Sequence, residues 1–454
     1  MKESNTKEPR DSKLIKASPT KDLFITMLVR DLTLRDAIGD LVDNSVDAAK
    51  SISNNGSYND LKIDLTASPE KFIIEDNCGG FSVDVARNYA FCFGRPSGYP
   101  ETPGSIGRFG IGMKRALFKL GRNFSVESTT TNSYFKMSVD VDKWNSDKNT
   151  WDFEFDDFKE GDDVKFDKQN TGTTIVVENL REDVMKQFSD PNFIKKLRSE
   201  IELEHLYAIH KGLEMKLNGK KLNERHLDFI DSEEIKPGYW EHSFYDGNLD
   251  VKVYSGISKD EGAEGGWYIF CNHRLIVGPD TSWITGWTGR KGDGVAEYHD
   301  QFHRFRGYVF FDAENAELLP WNTTKTGMDL DSPVYKAVRM QMIEMMKPVM
   351  TLMNILKKEK EGDTPEDERV FNNLVTSLRP VPLSEVMTDE NKLPDSFSFP
   401  TPVPKEKKTQ KGTRILYYKP SDEVNKVKEK LGITSNAEVG ERTFEYFVDM
   451  EIAD

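Results

Sequence analysis

The stretch GDLVDNSVDAAK at 39–50 places Asp40, Asp43, Asn44 and Asp47 at i, i+3, i+4 and i+7. On a helix this spacing gathers all four on one face and leaves Ile38, Leu41, Val42 and Ala49 for the other. Such a face is either a solvated surface or a set of hard oxygen groups turned toward a cation and a phosphate. Downstream, IIEDNCGGF ends a strand-like run in Asp76, followed by Gly79 and Gly80. A carboxylate at a strand end can accept a hydrogen bond from an exocyclic amine, and the glycines let a flat ring approach the main chain. Further on, GSIGRFGIGMKRALFKLG sets Gly104, Gly107, Gly110 and Gly112 ahead of a helical run. Gly-rich backbone entering a helix turns converging N–H groups toward an anion, and Lys114 adds positive charge there. A last strand-like run, TGTTIVVENL, contains Gly172 and Thr173.

The elements that must position these residues are mixed. From about 19 to 190, helices and strands alternate with Gly-rich connections, with KFIIED and GTTIVVENL as β-branched strands. Residues 191–360 form a second mixed segment. It contains the strand-like GWYIFCNHRLIV and GYVFFDA, then the helical SPVYKAVRMQMIEMMKPVMTLMNILKKEKE. Residues 361–410 are polar and carry several prolines, the composition of a flexible linker, and residues 1–17 read as a flexible tail. No internal repeat is evident.

The composition excludes several classes. At 454 residues the chain is long enough for two or three domains with their own cores. A net charge of −15 argues against wrapping nucleic acid over the whole surface, though not against a local basic patch. Cys78, Cys92 and Cys271 are too few and too scattered for a disulfide framework or a zinc site. His299 and His303 stand four apart, but no third ligand accompanies them. No apolar run approaches membrane length, and MKESNTKEPRDSK has no signal-peptide core. The expectation is a cytoplasmic protein with no membrane partner.

In their order and spacing, the four motifs together resemble the nucleotide site of the GHKL ATPases (gyrase B, Hsp90, histidine kinases and MutL). GDLVDNSVDAA resembles their N box, EDNCGGF their G1 box, GRFGIGMK their G2 box and TGTTIVV their last strand motif. The resemblance implies an α+β fold: a GHKL (Bergerat) α/β sandwich at 18–190 and an S5-like α/β transducer domain at 191–360. It implies ATP and Mg²⁺ as cofactors. Asn44 would ligand the Mg²⁺ that bridges the triphosphate. Asp76 would read the adenine amine, supported by Thr173 through water, and Gly80 would make room for the base. Gly107, Gly110 and Gly112 would cradle the phosphates, with Asp47, Ile111 and Lys114 completing the nucleotide-binding set. Asp40 stands where the family usually has a glutamate that orients and deprotonates water. Aspartate is one methylene shorter, and an error of about 1 Å at a base can cost about a hundredfold in rate, so slow hydrolysis is expected. Cys78 replaces the first glycine of the G1 box.

A histidine kinase would end soon after the G2 box, whereas here a long structured segment follows. Within it, LPWNTTKTGMD resembles the lysine loop of gyrase-like transducers and assigns Lys325 to the terminal phosphate. YIFCNHRLIV, then GYVFFDAENAELLPWNTTKTGMD, is most similar to the MORC branch, with Asn272 and Arg274 as structural or interface residues. That resemblance implies an ATP-gated homodimeric clamp acting on DNA or on a DNA-processing partner; genome maintenance or phage defence follows from the analogy alone. The rivals are an Hsp90-like chaperone ATPase with protein clients and a scaffold that binds ATP without hydrolysing it.

The chain closes with TRILYYKPSDEVNKVKEKLGITSNAEVGERTFEYF, which reads as strand, helix, turn, helix. Ser421 is placed to cap the first helix, Gly432 to stop it, and Ser435 with Glu438 to form a capping box for the second. Val424, Val427 and Leu431, then Val439, Thr443 and Phe447, give each helix an inward stripe. The piece, 411–450, resembles a ribbon-helix-helix module, which implies dimerisation. Lys405, Lys407, Lys408, Lys411 and Arg414 offer phosphate contacts.

Overall fold

The computed structural model describes residues 20–452 except 31, 54–55, 95–102, 108–109, 149, 162, 261–263, 291–293, 323, 362–364, 366–367, 402–414 and 416–417. The expected tail at 1–17, the basic run at 405–414 and most of the C-terminal strand lie outside the described residues. The chain divides into two compact units, Met1–Pro400 and Thr401–Asp454.

In the first unit, the acidic stretch is a helix, Leu34–Ile52. Thr33 caps it by accepting from the Asp36 N–H at 3.2 Å, and its hydroxyl donates to the Asp36 carboxylate at 2.7 Å. Ala37, Ile38, Leu41, Val42 and Ala49 are buried, so the apolar face expected from the spacing is the packed one.

Eight strands form the first sheet: β1 (Lys62–Ala67), β2 (Phe72–Asp76), β3 (Gly121–Thr129), β4 (Ser133–Asp140), β5 (Phe155–Glu160), β6 (Gly172–Leu180), β7 (Glu214–Leu217) and β8 (Lys220–Lys221). Their order is β5-β4-β3-β6-β2-β1-β7-β8. β2 pairs antiparallel with β6, and β6 with β3, in a register that sets Asp76 opposite Thr173 and Thr173 opposite Ser128. Three polar residues distant in sequence therefore share one row across the sheet. The helix Gly112–Leu120 packs on the acidic helix and runs directly into β3. Leu41, Phe72, Ile74, Phe118, Val126 and Ile175 belong to the core beneath them.

The first sheet extends past residue 190, the boundary expected from sequence. β7 pairs parallel with β1, and β8 follows it antiparallel at the edge. These strands are only four and two residues long, too short for their alternation to be read as part of a distant sheet.

The second sheet follows β9 (Asp228–Ile230). It comprises β10 (Gly238–Phe244), β11 (Leu249–Ile257), β12 (Gly266–Cys271), β13 (Arg274–Asp280) and β14 (Phe305–Asp312), in the order β10-β11-β14-β12-β13. β12 and β14 are parallel; the other pairs are antiparallel. The long helix Pro333–Glu361 packs on β11 and buries Val338, Met342, Met346, Val349 and Met353.

Residues 361–400 differ from the expected linker. Val370–Ser377 is a helix whose first amides donate to Glu359, at 3.1 Å from Phe371 and 2.9 Å from Asn372. β15 (Pro380–Pro382) pairs with β9. Phe371, Val375, Leu383, Val386 and Phe397 are buried, and Glu390 accepts from Lys252 at 2.8 Å and from the Tyr254 hydroxyl. A few large apolar residues widely spaced among prolines and charges anchor this segment, and a composition average does not register them.

In the second unit, Ser421–Leu431 and Asn436–Glu451 are helices packed on each other. Pro420 occupies the N-cap position, so Ser421 is the first helical residue rather than the cap. Gly432 ends the helix at φ 68°, and the Ser435 hydroxyl accepts from the Glu438 N–H at 3.5 Å. Val439 is buried and Thr443 half-buried, but Phe447 is exposed, with Leu431, Phe444, Tyr446 and Met450.

Candidate nucleotide site

The acidic helix, the end of β2, the start of β6 and the entry to the helix Gly112–Leu120 surround a cavity of about 540 Å³. Asp40, Asn44, Asp47, Asp76, Gly80, Gly107, Gly110, Ile111, Gly112, Lys114, Thr173 and Lys325 all line it, so the residues expected from sequence are brought together.

At one end the Asp76 carboxylate is held from three sides. Oδ1 accepts from the N–H groups of Cys78 at 2.9 Å and Thr173 at 3.2 Å, and Oδ2 accepts from the Ser45 hydroxyl at 2.6 Å. Burial pushes its pKa up, against the pull of these three donors. A carboxylate has about four acceptor positions, so one remains for a ligand N–H. Thr173 meets Asp76 directly through its backbone amide, where the resemblance implied water. Its hydroxyl shares a hydrogen bond with Ser128 at 3.2 Å. Ser45 was missed in the sequence; it follows Asn44 on the helix and sits on the same side as Leu41 and Ala48, which also line the cavity.

The loop after β2 explains Cys78 and Gly80. Cys78 is buried, so its small side chain points into the core and its amide remains for Asp76. Gly80 has φ 65°, and a Cβ there would run into the carbonyl oxygens of Thr129 and Gly172. Its missing side chain therefore lets the loop lie against the ends of β3 and β6, where Gly80 lines the cavity.

At the other end the Asn44 side chain is exposed to the cavity and makes no hydrogen bond to the described residues. Among the described residues no cluster of three His, Cys, Asp or Glu side chains could hold a metal ion. A free amide oxygen at the cavity wall nevertheless suits Mg²⁺, which takes one or two protein ligands and completes its shell with water or a ligand's oxygens. Asp47 is engaged: its carboxylate accepts from the N–H groups of Ile106 at 2.8 Å and Gly107 at 2.9 Å. Lys50 donates to the Gly104 carbonyl at 2.8 Å, and Asn272 to the Ser105 carbonyl at 3.1 Å. Burial, with the Asp43 charge adding, pushes Asp47 up to about 6 in spite of the amides. Lys114 donates to the carbonyls of Ala90, at 2.8 Å, and Gly110, and burial lowers its pKa to about 8. It ties the entry loop together as well as facing the cavity.

Asp40 is buried and ion-paired on both oxygens. Oδ2 accepts from Arg115 Nε at 3.0 Å and Nη2 at 2.8 Å; Oδ1 accepts from Lys325 Nζ at 3.3 Å. Arg115, three residues after Gly112, has no local signal in the sequence that sets it apart from its neighbour Lys114. Asp43 departs from the expected cavity-facing set. With about 100° per residue it lies roughly 60° from Asp40, at the margin of the arc. It is fully buried on the side of the second sheet, where Oδ1 accepts from Arg274 Nε at 2.6 Å and Oδ2 from Lys325 Nζ at 2.8 Å. Burial raises its pKa, but the two cations outweigh that and hold it at about 2.

Lys325 arrives from the turn closed by the Trp321–Met328 bridge, with φ 56°. Burial opposes its charge, yet Asp43 and Asp40 raise its pKa. It is 7% exposed and lies between the two carboxylates at the cavity wall.

No curated protein matches the chain, and no described helix is long and apolar enough to cross a membrane. Residues 32–173, which carry most of the cavity lining, match the family model of the histidine kinase-, DNA gyrase B- and HSP90-like ATPases, and that segment is similar to the ATP-binding domains of this family.

Proposed function

We propose that the protein is a Mg²⁺-dependent ATPase of slow turnover, an ATP-gated clamp that works as a homodimer on DNA or on a DNA-processing partner. The observation that carries this reading is the position of Lys325. A lysine from beyond the second sheet rests on Asp40 and Asp43 at the wall of the ATPase cavity. A terminal phosphate in that cavity competes with both carboxylates for the ammonium, so nucleotide occupancy bears directly on the second sheet. Asp76 reads the adenine amine, and Asn44 would hold Mg²⁺, which when bound would offset the negative charge of the phosphates. When Lys325 moves to the phosphate, Asp40 Oδ1 is released to take the proton of the attacking water. The new P–O bond forms as the β–γ bridge breaks, and ADP leaves. The exposed apolar residues of the C-terminal helices support a dimer, because a pair of helices this short cannot bury them alone.

The test is phosphate release by the full chain with Mg-ATP, with and without duplex DNA, beside Asp40→Asn, Asn44→Ala and Lys325→Ala. Turnover stimulated by DNA and lost in the variants supports the clamp. Stimulation by unfolded protein, and not by DNA, would transfer the reading to a chaperone.

One observation favours a second reading. Arg115 holds Asp40 Oδ2 through two N–H groups and Lys325 holds Oδ1, so both oxygens are paired to cations, which disfavours the carboxylate taking a proton. If that pairing persists with ATP bound, the protein is a switch that binds ATP and does not turn it over. ATP-dependent dimerisation with no phosphate release would identify that case.

A further inference from the structure

Arg274, at the start of β13, has all its donor nitrogens committed. Nε donates to Asp43 Oδ1 at 2.6 Å and Nη2 to Glu204 Oε2 at 3.2 Å, while Nη1 donates to the backbone carbonyl of Lys325 at 3.2 Å and to that of Leu275 at 3.4 Å. The side chain is fully enclosed, and burial opposes its charge while Asp43 and Glu204 hold the pKa above the ordinary arginine value. It is delivered by the tight turn at Asn272 and His273, with φ 48° and 69°. Asn272 is itself fixed, donating to the Ser105 carbonyl and accepting from the Ala313 N–H at 2.9 Å. On the acidic helix, Gly39 leaves the space: a Cβ there would stand 3.4 Å from Arg274 Nη2 and 3.3 Å from Glu204 Oε2.

Lys325 is consequently held at both ends by one pair. Arg274 grips its backbone carbonyl, and Asp43, oriented by Arg274, grips its ammonium. The lysine backbone sits in the left-handed region, which a residue with a side chain keeps only when its surroundings fix it. A buried ion pair made only for stability has no need of a hydrogen bond to that carbonyl.

We propose that Arg274 is a positioning residue for Lys325: it sets the reach of the lysine toward the terminal phosphate of ATP without touching the nucleotide. This rests on the reading that Lys325 serves that phosphate. A guanidinium reaches three partners in fixed directions, whereas an ammonium cannot hold Asp43, Glu204 and the Lys325 carbonyl at once.

The test measures binding of Mg-ADP and of a non-hydrolysable Mg-ATP analogue to the full chain, in wild type, Lys325→Ala, Arg274→Lys and the double variant. ADP lacks the terminal phosphate, so its affinity reports whether the site is folded. We expect ADP affinity to stay near wild type and the preference for the triphosphate to fall about tenfold in Lys325→Ala, the scale of one charge-assisted hydrogen bond. Arg274→Lys should lose the same preference, and the double variant no more than either single one. Retention of the preference in Arg274→Lys, or losses that add in the double variant, overturns the positioning role while leaving Lys325 in place. A Lys325→Ala protein that keeps the preference removes the functional reading and this inference with it. Should Arg274→Lys lose ADP binding, the isosteric Asp43→Asn decides: loss of the preference supports the arrangement, and retention overturns it.

Discussion

Asp47 Oδ2 accepts a hydrogen bond from the Gly107 N–H at 2.9 Å. The acidic helix thus already occupies an amide that the GHKL resemblance gives to phosphate, and a nucleotide must compete with a carboxylate of the protein for the entry loop.

That latch has a pH signature. The pKa of Asp47 is about 6 in the fold, above its ordinary 3.8, so between those values the folded state binds more protons than the unfolded one. Its contribution to stability is full below about 3.8 and is lost as pH rises through about 6. In Asp47→Asn the thermal midpoint of the nucleotide-free protein should fall less between pH 4.5 and 7 than in wild type, a difference that isolates this group from Asp76 and Glu204. Parallel curves would mean that Asp47 does not titrate there.

Ser45 donates to Asp76 Oδ2 at 2.6 Å, and both residues line the cavity. Ser45→Ala should weaken ATP and ADP binding by the same factor, about fivefold for one lost hydrogen bond, because both nucleotides share the adenine. Calorimetric titration with the two nucleotides checks it. Unequal losses would place Ser45 at the phosphate end instead.

Lys114, with a pKa of about 8, is only partly protonated at pH 8. A bound polyphosphate favours the charged ammonium and raises that pKa, so binding at pH 8 should take up a fraction of a proton. The apparent binding enthalpy should then depend on the ionisation heat of the buffer, and Lys114→Met should remove the dependence. A wild-type enthalpy identical in phosphate and Tris buffers would contradict the contact.

The C-terminal helices expose Phe444 and Phe447 by 55% and 56%. If these faces join two copies, Phe444→Ser with Phe447→Ser should shift the sedimenting species from two chains toward one without nucleotide. An unchanged mass would send the dimer contact elsewhere.

The site was legible because its residues lie in short runs with local rules. Helical spacing placed Asp40, Asn44 and Asp47 together, and glycine runs marked the loops around Asp76 and Gly107. What escaped depends on contacts across the chain. Nothing near Asp43 announces Arg274, 231 positions away, and only the register of β2, β6 and β3 shows that Ser128 belongs beside Thr173. The segment 361–400 escaped for a related reason: its burial rests on isolated residues such as Phe371 and Phe397, whose partners no local pattern reveals.

The seam between the cavity and the second sheet is made of Asp43, Arg274, Glu204 and Lys325, charges largely withdrawn from water. A charged seam resists slippage, since a shift of about 1 Å breaks directed bonds and strands an ion without its partner, at a cost of about 3 kcal/mol or more. The two halves therefore have few intermediate registers open to them. Whatever moves Lys325 moves the seam as a step rather than by degrees, and the output of the protein should be digital: bound or released, with little in between.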